Sequence, residues 1–260
     1  MSKRALCVGI NNYPGVDSDL SGCVNDCRDW QSQLGSRGFM VDTLFDEGAT
    51  KVAMVRALVK LLDASNPGDS VIFTYSGHGT WIPDLNGDEP DGRDEALCPY
   101  DLSETNLLLD DELCDIIGNH KKPGVQLAMV LDCCHSGTMT RVISMNPGHT
   151  KARYLPPSRF VKSKDILEAI SMASPKPKTV TLPGIVMMAG CRDSEYSYDA
   201  HFDGKPNGAF TYFALQALKK NPANYGAWMQ LIKKSLPSPK YPQTPQIQAT
   251  NATKLWSILS

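Results

Sequence analysis

Four short apolar runs restrict what this chain can fold into: "RALCVGIN" (residues 4–11), "SVIFTYSGHG" (70–79), "VQLAMVLDCC" (125–134) and "GIVMMAGC" (184–191). Each is nearly continuous in apolar side chains and ends in Gly, Asn or polar residues, the pattern of parallel strands buried on both faces. Between them, "CVNDCRDWQSQL" (23–34) and "KVAMVRALVKLLDAS" (51–65) carry helical spacing, and "FMVDTLF" (39–45) reads as a shorter strand. Past the fourth run, helices are predicted over "GAFTYFALQALKK" (208–220) and "YGAWMQLIKKSL" (225–236), with a last strand near "PQIQAT" (245–250). This alternation predicts an α/β protein whose mostly parallel central sheet is flanked by helices on both faces.

Regularity lapses once. The stretch 139–183 contains Pro147, Pro156, Pro157, Pro175, Pro177 and Pro183, with one helix expected around 164–172. It exceeds the roughly 12–15 residues of an ordinary connection, so a functional or disordered segment is expected there. The remaining composition excludes more than it assigns. A formal net charge of -2 with no basic stripe gives no electrostatic footprint for nucleic acid or an anionic membrane. No run reaches the roughly 18 apolar residues of a membrane span, and the N-terminus lacks the apolar stretch of a secretory signal. Eight cysteines in 260 residues, several inside strand-like or helix-like runs, read as reduced thiols, and the expected location is cytoplasmic.

Two of the four runs end in reactive groups. "YSGHG" delivers His78, and "LDCCHSG" delivers Cys133 and Cys134. In open α/β sheets, sites form beyond the carboxyl ends of the strands, so a Cys and a His from separate strand ends can meet as nucleophile and base. Side chains alternate along a strand. Leu127, Met129, Leu131 and Cys133 therefore share an apolar face, which makes Cys133 core, while Cys134 shares the other with Asp132. The same count puts Ser76 and His78 on one face, and Ser76, His78, Asp132 and Cys134 around one cleft. His135 is the competing base, but adjacent residues of an extended segment diverge. The N–H groups of Gly79 and Cys134 are candidates for an oxyanion hole, because glycine permits close backbone approach.

"YSGHG" followed by "DCCHSGT" resembles the caspase-like cysteine peptidases, with a His-to-Cys interval near the roughly 50 residues of caspases. The resemblance extends through "LCVGINNYP", "LSGCVNDCRDW", "DGRDEALCPYD", "LLLDDEL", "AGCRDSEYSYD", "GAFTYFALQAL" and "QTPQIQ". It is specifically to type I metacaspases or their prokaryotic form, the orthocaspases. It implies a caspase-like fold in one domain: a large-subunit-like part over 1–141, a linker over 142–183 and a small-subunit-like part over 184–260. It also implies a Cys134–His78 dyad and a substrate pocket lined by Cys23, Asp26, Ser76 and Asp132. Caspases use arginines to hold an acidic P1 residue, the residue before the cut. Here an acid, Asp132, precedes the nucleophile by two residues, so protein or peptide substrates with Arg or Lys at P1 are expected. The linker carries Arg141, Lys151, Arg153, Arg159, Lys162, Lys164, Lys176 and Lys178. An enzyme of that specificity could cut itself there, leaving the two parts associated.

No cofactor is expected beyond calcium. "DLNGDEPDGRDE" (84–95) imitates an EF-hand loop but has Glu89 where the turn needs Gly. The calcium positions of many metacaspases match Asp94, Asp110 and Asp111, whereas their fourth acid is Arg141 here, a cation that would repel the ion. Asp110 and Asp111 read equally as acids at a helix N-terminus, as do Asp26 and Asp29. Two further readings compete: a catalytically silent caspase-like interaction module, which retention of Cys134 and His78 opposes, and a zinc protein. The zinc reading lacks a paired C-x-x-C motif, and Cys133 and Cys134 face opposite ways. A monomer or weak dimer is expected.

Overall fold

The structure is a computed structural model that describes residues 1–15, 19–84, 92–134, 150–172 (168–172 by backbone alone) and 184–259. In chain order its first half holds β1 (Lys3–Gly9), α1 (Cys23–Gly35), β2 (Met40–Phe45), α2 (Lys51–Asp63), β3 (Ser70–Ser76), β4 (Gly79–Pro83), β5 (Arg93–Leu97), β6 (Leu108–Leu109), α3 (Asp110–His120) and β7 (Gln126–Asp132). There follow β8 (Lys151–Ala152), α4 (Ser163–Met172), β9 (Ile185–Ala189), β10 (Tyr198–Phe202), β11 (Lys205–Gly208), α5 (Ala209–Leu218), α6 (Tyr225–Ile232), β12 (Gln246–Gln248) and α7 (Asn251–Lys254).

The main sheet runs β12-β9-β7-β3-β1-β2, parallel throughout except where β12 closes against β9. Its central strands are apolar because both of their faces are covered. Leu127, Met129, Leu131 and Cys133 enter a core shared with Met54, Leu58 and Leu62 of α2 and with Leu113 and Ile117 of α3. Ala128 and Val130 enter the opposite core, with Trp30 of α1, Phe210 of α5 and Trp228 of α6. The alternation read from "LAMVLDCC" is thus the partition of β7 between two cores.

Two small antiparallel sheets flank the carboxyl ends of the main strands: β4-β5-β6, and β11-β10-β8. Neither was anticipated. Four of their six strands read "GTWIP", "RDEAL", "KA" and "KPNG", too short, charged or proline-bearing to give an apolar alternation. The run expected to be a strand as far as Gly79 also divides. β3 stops at Ser76 because the N–H of His78 leaves the ladder and donates to the Tyr13 hydroxyl at 2.9 Å. The Tyr75 hydroxyl donates to the His78 carbonyl at 2.7 Å, so two buried tyrosines turn the chain where β3 gives way to β4. Within the proline-rich connection, α4 covers the predicted helix, and β8 joins β10 in the second small sheet.

Phe73 lies on β3 with 1% of its surface exposed, whereas Met40 on edge strand β2 is 56% exposed. Phe73→Ala should cost about 3–5 kcal/mol through lost burial and a residual cavity. Met40→Ala should change stability by less than about 0.5 kcal/mol. Urea midpoints of the two variants check the contrast.

Candidate active site

The register pairs Ser76 of β3 with Asp132 of β7, so the segments that carry His78 and Cys134 both leave the sheet at its carboxyl edge. Ser76, His78, Asp132 and Cys134 are all buried. Covering them is the segment that enters as β8. Its Ala152 and Lys151 pair with Tyr198 and Asp199 of β10, and the N–H of the next residue, Arg153, donates to the Ser197 carbonyl at 2.9 Å. The Arg153 carbonyl oxygen then accepts from two amides at once, Gly79 at 3.1 Å and Cys134 at 3.1 Å. These are the two N–H groups singled out in the sequence. They converge because β4 begins at Gly79 directly against the Cys134 backbone. A Cβ on Gly79 would collide with the Cys134 carbonyl, so only glycine permits the approach. The Cys134 sulfur lies within reach of Ser197, accepting from its N–H at 2.5 Å.

The Arg153 side chain is fully buried among three carboxylates. Its Nη2 reaches Asp26 Oδ2 at 2.7 Å and Asp199 Oδ1 at 2.9 Å, and its Nη1 reaches Asp132 Oδ2 at 3.1 Å. Each carboxylate is fixed from behind. Asp26 at the start of α1 accepts from Asn207 Nδ2 at 2.9 Å and from the Gly208 amide at 3.0 Å. Asp132 accepts from the Thr211 amide at 2.9 Å, the Thr211 hydroxyl at 2.7 Å and the Ser197 hydroxyl at 2.5 Å. Asp199 accepts from the amides of Ser21 and Gly22 at 2.8 and 3.0 Å. Gly208 forms the floor: a Cβ there would wedge between the Asp132 carboxylate and the Arg153 guanidinium.

Charge states follow from this packing. Burial raises Asp26 from an ordinary 3.8 to about 7, with Asp132 pushing the same way against the lowering effect of Arg153. Burial also pushes the Cys23 thiol up, so Cys23 is a neutral member of the cluster. Burial would lower the Arg153 guanidinium, but the charges around it, Asp132 foremost, outweigh that and raise it. Arg153 is a firm cation in an anionic seat.

Of the predicted pocket residues, Asp26 and Asp132 contact the guanidinium, Cys23 lies close enough for their charges to be felt, and Ser76 sits in register beside Asp132. The sequence reading missed Asp199, Asn207, Ser197 and Thr211. Asp199 closes the "AGCRDSEYSYD" motif, but only pairing of β10 with the incoming segment shows which way it faces. Gln243 of "QTPQIQ" was also missed. It donates to the Gly190 carbonyl at 2.8 Å and accepts from the Tyr198 amide at 3.2 Å, tying β9 to β10 behind the pocket.

The calcium expectation finds no support in this arrangement. Asp94 is buried on β5, and Asp110 and Asp111 open α3. Among the described residues no group of three or more His, Cys, Asp or Glu side chains is placed to hold a metal ion. Arg141, His135, Gly137 and the centre of the acidic loop lie outside the described residues. Among the described residues no helix is long and apolar enough to cross a membrane.

Residues 3–143 match the family profile described as "Metacaspase, peptidase C14 domain". The chain is 32% identical to Metacaspase-1A of Aspergillus terreus over 96% of its own length and 70% of that protein's. It is 31% identical to Metacaspase-1 of Cryptococcus neoformans over 96% of its length and 63% of that protein's. Among solved structures, a Geobacter sulfurreducens protein, GSU0716, superposes with a TM-score of 0.77 at 28% identity, covering 100% of this chain and 99% of that one.

Because Asp26 titrates near 7 when folded and near 3.8 when unfolded, the folded chain holds an extra proton between these values. Its contribution to stability is therefore present at low pH and lost as pH rises toward about 7. In urea titrations across that range, wild type should lose stability relative to Asp26→Asn as pH rises, and the difference should level off above about 7. A difference that stays constant with pH would contradict this account of the pocket.

Proposed function

This chain belongs to the metacaspase family, peptidase C14, and is a cysteine-type endopeptidase; on that premise we propose that it cuts peptide bonds after arginine or lysine with a Cys134–His78 dyad, and that it processes itself. The observation that carries the specificity is the seating of Arg153: one residue has its guanidinium among Asp26, Asp132 and Asp199 and its carbonyl oxygen between the amides of Gly79 and Cys134. A basic P1 side chain in that pocket presents its carbonyl where the two amides are. Arginine exploits several carboxylates through its planar fork, and lysine offers one compact charge, so Arg is the preferred P1.

In the proposed mechanism His78 takes the Cys134 thiol proton and the sulfur attacks the carbonyl carbon. The developing oxyanion is held by the Gly79 and Cys134 amides. His78 returns the proton to the leaving amine, and water then releases the carboxylate and restores the thiol. Tyr13 serves as a positioning residue, since its hydroxyl takes the His78 amide and its ring lies 5.0 Å from the imidazole. No step runs through a metal ion. The proposal places the enzyme in the cytoplasm, supported by the reading of its cysteines as reduced thiols, as a monomer or weak dimer acting on protein or peptide substrates.

Matched fluorogenic peptides ending in Arg, Lys or Asp test this reading. Wild type should cleave only the basic pair, Arg faster than Lys. Cys134→Ala should lose about 10³-fold or more. Asp132→Asn should lower kcat/KM for the Arg peptide about 30-fold or more, the cost of removing one side of a buried charge pair. Cleavage of the Asp peptide, or full activity in Cys134→Ala, would refute it.

A further inference from the structure

The candidate nucleophile has a second thiol for a neighbour. Strands β7 and β9 are adjacent and parallel, with Leu131 level with Ala189, and the Gly190 amide extends the ladder by donating to the Leu131 carbonyl at 3.0 Å. The segments that carry Cys134 and Cys191 therefore leave the sheet at the same edge. There the two thiols are hydrogen-bonded to each other. The Cys191 sulfur also lies 3.7 Å from the Cys133 carbonyl oxygen. At its far end the turn 191–197 returns to the same Cys134 sulfur, which lies 3.5 Å from the Ser197 carbonyl oxygen and accepts from the Ser197 amide at 2.5 Å. Gln243 ties both ends of that turn together, its Nε2 donating to the Gly190 carbonyl at 2.8 Å and to the Ser197 hydroxyl at 3.2 Å. Cys191 is thus held against Cys134 by a braced turn, with both side chains buried.

The proposed dyad gives Cys191 no task. Its hydrogen bond with Cys134, and then its burial, pushes the Cys191 thiol up, so it rests as a neutral S–H beside the sulfur that His78 would activate. A second hydrogen-bonded pair, Cys7 of β1 and Cys27 of α1, is sealed inside the core of Trp30 and Phe210. The Cys134 sulfur is different, because every peptide that the enzyme cuts must reach it, and a peroxide is smaller than any peptide. We propose that Cys134 and Cys191 are a peroxide-reactive dithiol, in which Cys191 traps the oxidised nucleophile as a disulfide and so turns the peptidase off reversibly. The inference rests on the reading of Cys134 as the peptidase nucleophile and adds a modification site that peptide cleavage does not require. With its proton on His78, the Cys134 sulfur bonds to one peroxide oxygen, the O–O bond breaks, and the hydroxide takes the proton from His78 and leaves as water. The Cys191 sulfur then attacks the Cys134 sulfenic acid. Its proton departs with the sulfenic hydroxyl as a second water, and the S–S bond forms. Two electrons pass from the two thiols to the peroxide. The hydrogen-bonded sulfurs have only to close to the roughly 2.05 Å of an S–S bond. An external dithiol returns both electrons and both protons, restoring Cys134.

The test treats wild type, Cys191→Ser and Cys191→Ala with excess hydrogen peroxide, removes it with catalase, and measures hydrolysis of an Arg peptide before and after dithiothreitol. Each protein is compared with its own untreated activity, and the disulfides are mapped by non-reducing peptide mass with fragment ions that separate Cys133 from Cys134. Wild type should lose activity as a Cys134–Cys191 disulfide forms, and dithiothreitol should restore most of it. The two Cys191 variants should also lose activity but recover about tenfold less of it, because an untrapped sulfenic acid goes on to the sulfinic state, which a dithiol does not reduce. Their Cys134 peptide should carry two added oxygens. Variants that recover as well as wild type overturn the inference, as does a disulfide confined to Cys7–Cys27 or to Cys133–Cys134, or activity untouched by peroxide; each leaves the peptidase reading standing. Wild type inert toward the Arg peptide before any peroxide is added overturns the parent reading and this inference with it.

Discussion

One buried cation against three buried carboxylates organises this molecule. Asp26 comes from the helix after β1, Asp132 from the end of β7, Asp199 from β10, and Arg153 from the connection between the two ends of the chain. The cluster is thus where the main sheet, the helix layer of α1 and α5, the small sheet of β10 and the connection meet. Such a cluster is not a cheap source of stability, since desolvating ions offsets most of their attraction. Its expense is visible in Asp26, which burial holds near 7 although a guanidinium is 2.7 Å away. Backbone amides of Ser21, Gly22, Gly208 and Thr211 are all spent on these carboxylates. This much hydrogen bonding is committed to an anionic seat that holds the basic side chain of Arg153.

The sheet makes the seat possible. Parallel strands in register bring Ser76 beside Asp132, two residues before His78 and Cys134 in their respective segments. β3 is stopped at Ser76 by the buried hydroxyls of Tyr13 and Tyr75, which take and give the bonds that a strand would have used.

This part was legible in the sequence because it depends on local periodicity. Alternation in "LAMVLDCC" separated Cys133 from Cys134 correctly, and glycine placement in "YSGHG" indicated an amide that could approach another backbone. Asp132 came from the same alternation, and Asp26 from a family resemblance that the comparisons support. Asp199, Asn207 and Thr211 were out of reach for a different reason. Asp199 alternates with Tyr198, Ala200 and Phe202 on β10, but what it faces exists only once β10 pairs with residues 151–152, and Asn207 and Thr211 lie on a short polar strand and at a helix start. The partner that completes the site, Arg153, was one of many basic residues in an irregular stretch. Nothing local distinguishes it from Lys151 two positions earlier; what selects it is the register of a two-residue strand.

The central claim is that the positive charge of the P1 side chain, not its shape, is what the pocket reads. The most direct measurement compares kcat/KM for two peptides that differ only in arginine or citrulline at P1, a neutral side chain of nearly the same outline. A charge-reading pocket predicts a loss of about 30-fold or more for citrulline, equivalent to about 2–5 kcal/mol of transition-state binding. Equal values for the two peptides would contradict the account.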